Sequence, residues 1–265
     1  MKTQAASADR YELYQRAVQT PKKDISFICK VFSQFRHRAP TLLREDFSGT
    51  FLLCCEWVKQ RAERLAIAVD LDKEVLDWGR EHNLPLAGPA ADRITVICSD
   101  VCDRQLEVSL VDVTVAFNYA TNLFTSRRAL MEYFRIALDG LCEDGILFLD
   151  LYGGTASQIA SKYRKNFSDF TYIFEQSGVD VVSHRAEMAI HFRFPDKSGI
   201  KQAFSYSWRV WTLPEIVDAL EDAGFKAVKV WWAEVDKKGE DQYEYQETTS
   251  AQQVEMWNAY IVALK

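Results

Sequence analysis

From Leu42 onward, short apolar runs alternate with amphipathic segments. The pattern predicts strands over 41–45, 65–70, 94–98, 111–117 and 146–151, and helices over 51–61, 73–83 and 127–141. Strands that alternate with helices of this length imply crossover connections, and so a parallel sheet covered on both faces. The fixed hand of such crossovers leaves few topologies. Upstream, Tyr11, Tyr14 and Val18 recur at helical spacing until Pro21 stops the pattern, and a second helical pattern runs over 25–35. Residues 1–40 thus read as a helical cap in front of the sheet.

The alternation breaks after Gly154. Four β-type runs, 172–174, 179–183, 188–194 and 203–211, are separated by turn signals at Ser177-Gly178 and over 196–199. Connections this short hold no crossover, so the strands are antiparallel, and 155–211 reads as a flap inserted into the main domain (41–154 and 212–265). The helix over 213–223 is well specified. Thr212 and Glu215 form a capping box, Leu213, Ile216, Val217 and Leu220 make one apolar stripe, and Gly224 ends it. Two last strands, 226–235 and 257–264, flank a polar stretch, 236–253, that reads as mobile.

At 265 residues with 48% hydrophobic content, the chain builds its own core. No apolar run approaches the roughly 18 residues of a membrane span, and the polar start lacks the apolar stretch of a secretory signal, so the default compartment is the cytoplasm. Six cysteines then read as small buried apolar residues, and four histidines at no ligand spacing point to no metal. With 38 acidic against 32 basic residues, net charge −6, nucleic acid is not the expected partner.

The chemistry concentrates at 41–51, Thr-Leu-Leu-Arg-Glu-Asp-Phe-Ser-Gly-Thr-Phe, where a strand ends in an acidic pair and turns through Gly49 into a helix. A glycine there lets backbone approach a ligand, and the helix start offers unpaired N–H groups. Asp70 ends the next strand about twenty positions on, where an α/β nucleotide site holds a ribose diol. Asp100 ends the third, placed to accept from an adenine amino group. Glu45, Asp70 and Asp100 thus close three successive strands at the edge where open α/β sheets bind ligands; the alternative is that each acid caps the helix after it. Phe47 and Phe51 occupy the outer glycine positions of a dinucleotide turn and would crowd a pyrophosphate, which favours an adenosyl ligand without phosphate.

On these residues the chain, from Leu42 to Lys265, resembles the class I S-adenosylmethionine-dependent methyltransferases. The Glu-Asp-Phe-Ser-Gly-Thr turn stands in place of their glycine-rich turn, with Asp70 and Asp100 in the ribose and adenine positions. Ala223-Gly224-Phe225 after an amphipathic helix and a final hairpin match as well. More narrowly, 11–19 (Tyr-Glu-Leu-Tyr-Gln-Arg-Ala-Val-Gln), 44–50, 78–83 (Trp-Gly-Arg-Glu-His-Asn) and 150–154 (Asp-Leu-Tyr-Gly-Gly) look like a little-characterised branch of predicted methyltransferases marked by an EDF(S/C)GT turn.

The resemblance implies a Rossmann-like α/β fold: a mostly parallel seven-stranded sheet with an antiparallel C-terminal hairpin, plus the flap. It implies S-adenosylmethionine as cofactor, with Glu45 and the Ser48, Gly49 and Thr50 backbone at the amino-acid end. Tyr14 or Arg44 would meet the carboxylate, Asp70 and Leu71 the ribose, Asp100 and Val101 the adenine. Asn118 would border both cofactor and acceptor; Arg44 pairing with Glu45 or Asp46 is the alternative. Methyl transfer from a sulfonium needs alignment and desolvation more than a nucleophilic side chain. Candidates around the acceptor are Asn118, Tyr119, Asn122, Asp150, Tyr152, Tyr206, Arg209 and Trp211, with Asp150 or Tyr152 orienting it or taking its proton. Trp208, Trp231 and Trp232 read as core. Asn118-Tyr119-Ala120 lacks the paired prolines of enzymes that methylate DNA bases or glutamine, so a small-molecule acceptor leads. The competing readings are an NAD-dependent oxidoreductase and a cofactor-binding protein without turnover. The edges of the flap also offer pairing to a second copy.

Overall fold

The computed structural model describes residues 2–104, 109–234 and 244–265. Thr3 caps a short helix, α1 (Gln4–Ser7), and the Asp9 carboxylate accepts from the Tyr11 and Glu12 N–H groups to start α2 (Arg10–Val18). α2 ends ahead of Pro21, as expected, and Pro21 also opens α3 (Pro21–Arg36), four residues before the expected start. Its ring presets the helical φ, and its missing N–H falls where a helix has no internal partner to offer. Then come β1 (Leu42–Asp46), α4 (Leu52–Gln60), β2 (Leu65–Asp70), α5 (Lys73–His82), β3 (Ile94–Cys98), β4 (Val111–Ala116), α6 (Arg127–Gly140) and β5 (Leu141–Gly153), as the alternation predicts. β5 begins before residue 146 because a register shift in its pairing with β4, between Val111 and Val113, carries its polar start along the sheet.

The inserted strands are β6 (Ser161–Asn166), β7 (Thr171–Gln176), β8 (Arg185–Arg193) and β9 (Gly199–Arg209), a separate antiparallel sheet in that order. The strand expected over 179–183 is a turn: the Asp180 carboxylate accepts from the Val182 and Ser183 N–H groups, and Val181 and Val182 project into solvent. β6 was not legible, because Ser-Lys-Tyr-Arg-Lys-Asn has no apolar alternation. As an edge strand its charges, Lys162, Arg164 and Lys165, oppose edge-to-edge pairing. α7 (Leu213–Ala223) carries the full capping box and ends at Gly224 in the left-handed region, φ 112°.

β10 (Ala227–Glu234) and β12 (Trp257–Leu264) form the antiparallel hairpin. β11 (Gln246–Thr248) adds an eighth strand inside the stretch expected to be mobile. Val235, the predicted end of the strand before it, and 236–243 lie outside the described residues. The main sheet runs β3-β2-β1-β4-β5-β12-β10-β11.

Two apolar layers cover it. On one face Ile25, Ile28 and Phe32 of α3 and Trp57 and Val58 of α4 pack on Leu43, Val113, Val115 and Phe148. On the other, Leu130 and Phe134 of α6 and Ile216 and Leu220 of α7 pack on Val69, Leu147, Leu149 and Ile261. The N-terminal helices divide their loyalties: α3 belongs to the sheet, whereas Leu13 of α2 packs on Phe170, Tyr172, Ile190 and Phe192 of the flap. α2 therefore links the inserted sheet to the main one.

At the amino edge of the sheet, Asp112, Cys142 and Asp144 lie close together. Arg38 fills the space among them, 2.7 Å from Asp112 and 2.7 Å from Asp144, and Asp112 also accepts from the Thr41 and Leu42 N–H groups. These donors pull the Asp112 carboxyl down to about 2 against the effect of burial.

Candidate functional site

At the end of β1 the chain reverses through three left-handed residues, Phe47 (φ 56°), Gly49 (φ 53°) and Phe51 (φ 46°). Only Gly49 takes this conformation without steric cost; for the phenylalanines it costs roughly 1–2 kcal/mol each. Burial of the rings offsets that cost. Phe51 is fully enclosed in the α3–α4 layer, and Phe47 packs 5.8 Å from Phe124 and 5.6 Å from Tyr133. The backbone of a glycine-rich turn is therefore present although two of its glycines are not. Phe51 points into the core and crowds nothing, contrary to the inference drawn from its position in the sequence.

The turn is tied down on every side. The Ser48 N–H donates to the Val69 carbonyl, the Phe51 N–H to the Ser48 carbonyl, and the Gly49 N–H to Asp70 Oδ2 at 2.7 Å. Gln15 of α2 donates to Thr50 Oγ1 at 2.7 Å, and Asn83, just past α5, to the Thr50 carbonyl at 2.8 Å. The stretches 11–19 and 78–83, distinctive in the sequence, thus converge on Thr50. Trp78 reaches Asp9 at the start of α2 (2.7 Å), which closes the triangle.

Gly79 completes it: a Cβ at this position would lie 2.4 Å from the Phe51 ring and 2.7 Å from the Thr50 carbonyl. Gly79→Ala is expected to push α5 off the turn and to cost about 1–3 kcal/mol. A melting temperature within about a degree of wild type would disprove the close approach.

Above the turn, between the carboxyl ends of the strands and the flap, lies a cavity of about 1130 Å³. That exceeds the roughly 300–1,000 Å³ of a single ligand pocket. Tyr14, Ser48, Gly49, Thr50, Asp70, Leu71, Asp100, Val101, Asn118, Tyr119, Asp150, Tyr152 and Tyr206 all line it. The Asp70 carboxylate accepts from the Gly49 N–H and, at 2.9 Å, from the Asp72 N–H, while burial pushes its pKa up. Leu71 is 70% and Leu123 44% exposed, two large apolar side chains bare in the same cavity as Asp100 and the buried Val101.

Arg44 and Glu45 do not line the cavity, a correction to their expected place at the amino-acid end of a cofactor. Successive residues of a strand point to opposite faces. Arg44 turns into the α6 layer, 4% exposed, with its Nε donating to Asp46 Oδ1 at 2.6 Å; the Tyr133 hydroxyl donates to the other Asp46 oxygen. Glu45 turns the opposite way and accepts from the Cys54 N–H at the start of α4. Burial lifts its carboxyl to about 8. It serves as the helix cap that was the competing reading of these acids.

Asn122, Arg209 and Trp211 also lie outside the cavity lining. Asn122 is buried, Arg209 stacks 3.7 Å over the Trp211 ring and pairs with Glu215, and the Trp211 indole N–H donates to the Phe124 carbonyl. Trp231 and Trp208 are both buried in apolar clusters, as read, and Trp208 also forms part of the cavity wall.

At the end of β4, Asn118 (φ 59°) and Tyr119 (φ 61°) are both left-handed, and such strained backbone gathers where geometry serves function. The turn aims both N–H groups at Asp150 of β5, at 2.9 and 2.7 Å. Burial first, and then the charge of Asp24, raise the Asp150 carboxyl to about 7 in spite of these donors. Asp24 of α3, which accepts from the Tyr260 hydroxyl at 2.5 Å, also lines the cavity. Sequence reasoning missed Asp24, since a charged residue in the first turn of a helix reads as a solvated one.

Solved structures share this fold over nearly their whole length. An S-adenosylmethionine-dependent methyltransferase from Clostridium acetobutylicum is 17% identical with a TM-score of 0.68, over 96% of this chain and 97% of its own. DesVI from Streptomyces venezuelae is 15% identical, TM-score 0.68, over 98% and 99%. CalS10 from Micromonospora echinaspora, an amino pentose methyltransferase with S-adenosylmethionine bound, is 12% identical, TM-score 0.67, over 99% of both chains. The fold is that of the S-adenosylmethionine-dependent methyltransferases. No family model matches the sequence, and no curated protein does. Within this methyltransferase fold, the left-handed turn and Asp70 occupy the carboxyl ends of β1 and β2, and no described helix is long and apolar enough to cross a membrane.

Proposed function

We propose that this protein transfers the methyl group of S-adenosylmethionine to a small-molecule acceptor enclosed beneath the flap. One observation carries the reading: Asp70 and Asp100, beside the left-handed turn of Ser48, Gly49 and Thr50, line the same cavity as the Asn118–Asp150 array. One cavity thus has room for an adenosyl ligand and a second molecule. Residues in the cavity fit the cofactor. Asp70 offers lone pairs to ribose hydroxyls, Asp100 accepts from an adenine amino group, and Leu71, Val101 and Leu123 cover a purine. The Ser48–Thr50 backbone and Tyr14 face its amino-acid end. Bound there, the cofactor supplies a methyl group already activated by a positive sulfur.

The chain's own part is then alignment and exclusion of water. The flap and α2 roof the cavity, and Asn118, Tyr119 and Asp150 position the acceptor over the strand ends. An acceptor the size of the amino pentose for which CalS10 is named agrees with the room available.

S-adenosylhomocysteine is expected to raise the melting temperature of the protein, and NADH to leave it unchanged, since only a ligand that binds the native state stabilises it. A shift with NADH alone would replace this reading by the oxidoreductase one, and a shift with neither would sink both.

A further inference from the structure

Resting on that reading, we infer that the methyl acceptor is a small amine, bound as a cation against an aromatic wall and deprotonated by Asp150. Tyr152 follows Asp150 by two along β5 and so lies on the same face of the sheet. Its ring sits 4.9 Å from Tyr119 and 6.1 Å from Trp208, and Trp208 stacks 5.1 Å from Tyr206. The four rings and the carboxylate line one cavity. Among the described residues no lysine or arginine forms an ion pair with Asp150, and Asp24 adds a second negative charge nearby.

Each acceptor class meets this wall differently. An ammonium group gains from the ring faces, by about 0.5–2 kcal/mol per contact, and from the carboxylate. A carboxylate acceptor placed against Asp150 meets a like charge there, and the basic residues of the same cavity, Arg10, Arg16, Lys23 and Lys165, lie outside the four-ring wall. An alcohol donates one hydrogen bond to the carboxylate but has no positive charge for the ring faces to attract. Transfer also needs a neutral nitrogen, and Asp150 supplies the means, because a carboxylate that burial has made more basic takes a proton readily. The ammonium N–H proton passes to Asp150. The freed lone pair forms the N–C bond as the C–S bond breaks and leaves its electron pair on sulfur. The methylated product is again a cation and stays against the rings until release, and Asp150 returns its proton to solvent.

The test uses the full chain saturated with S-adenosylhomocysteine and four probes that share one ring: benzylamine, benzyltrimethylammonium, benzyl alcohol and benzoate. Calorimetry is expected to show both cations binding at least tenfold tighter than the alcohol or the acid. Asp150→Asn should weaken the cations about tenfold. Tyr152→Leu, which keeps the carboxylate, should reduce the preference for benzyltrimethylammonium over benzyl alcohol. Equal binding of all four, preference for benzoate, or no binding of the cations while S-adenosylhomocysteine still binds would overturn the amine assignment alone. Failure of S-adenosylhomocysteine itself to bind would remove the cofactor reading and the inference with it.

Discussion

Asp70→Ala is expected to lower the affinity for S-adenosylhomocysteine about a hundredfold. The carboxylate acts twice. It pins the Gly49 N–H at 2.7 Å, holding the left-handed turn against the end of β2, and its remaining lone pairs face the cavity where a ribose would lie. Hydrogen bonds to a charged group contribute roughly 1.5–3 kcal/mol each. Losing two toward the ligand removes about 3 kcal/mol, and every 1.4 kcal/mol is tenfold in Kd. Asp70→Asn keeps one acceptor and one contact to the turn, so its loss should be nearer tenfold. Calorimetric titration of the two variants measures this, and wild-type affinity in Asp70→Ala would remove Asp70 from the cofactor site.

The largest loss of stability is expected from Asp46→Leu. It would strand the Arg44 guanidinium, 4% exposed in an apolar layer, without its 2.6 Å partner. Breaking a buried pair from one side costs about 3–5 kcal/mol, whereas replacing both members with apolar groups is often neutral. The double variant Arg44→Leu/Asp46→Leu should therefore melt well above the single variant, short of wild type only by the roughly 1–3 kcal/mol that the buried Tyr133 hydroxyl loses with its acceptor, and the cycle should show a coupling of a few kcal/mol. The same double variant decides the role of Arg44: buried in the α6 layer, it is dispensable for cofactor, and S-adenosylhomocysteine affinity should persist. A hundredfold loss in a stable double variant would restore Arg44 to the amino-acid end of the site.

Arg44 and Glu45 show where a sequence stops informing. Both stand in the segment that turns toward a ligand, and both carry charge that a cofactor would use. Which face of the strand each takes depends on the layers above and below. α6 presents Tyr133 to one face and α4 presents the Cys54 N–H to the other, and neither is visible from the local pattern. Phe47 and Phe51 mislead in the opposite direction. Their chemistry argues against a left-handed turn, and only packing around their rings makes that backbone tolerable.

By itself, the sequence determined what periodicity and local chemistry control. The alternation of strand and helix, the capped α7, and the placement of Asp70 and Asp100 at strand ends all follow from spacing and turn residues within one element. Tertiary structure alone decided what depends on partners far along the chain. β6 and β11 become strands only because β7 and β10 lie beside them to take their hydrogen bonds. Gln15 and Asn83 become part of the turn only because α2 and α5 converge on Thr50. Asp150 becomes more basic because burial withholds water from it and Asp24 stands nearby, and no reading of neighbours along the chain contains either fact.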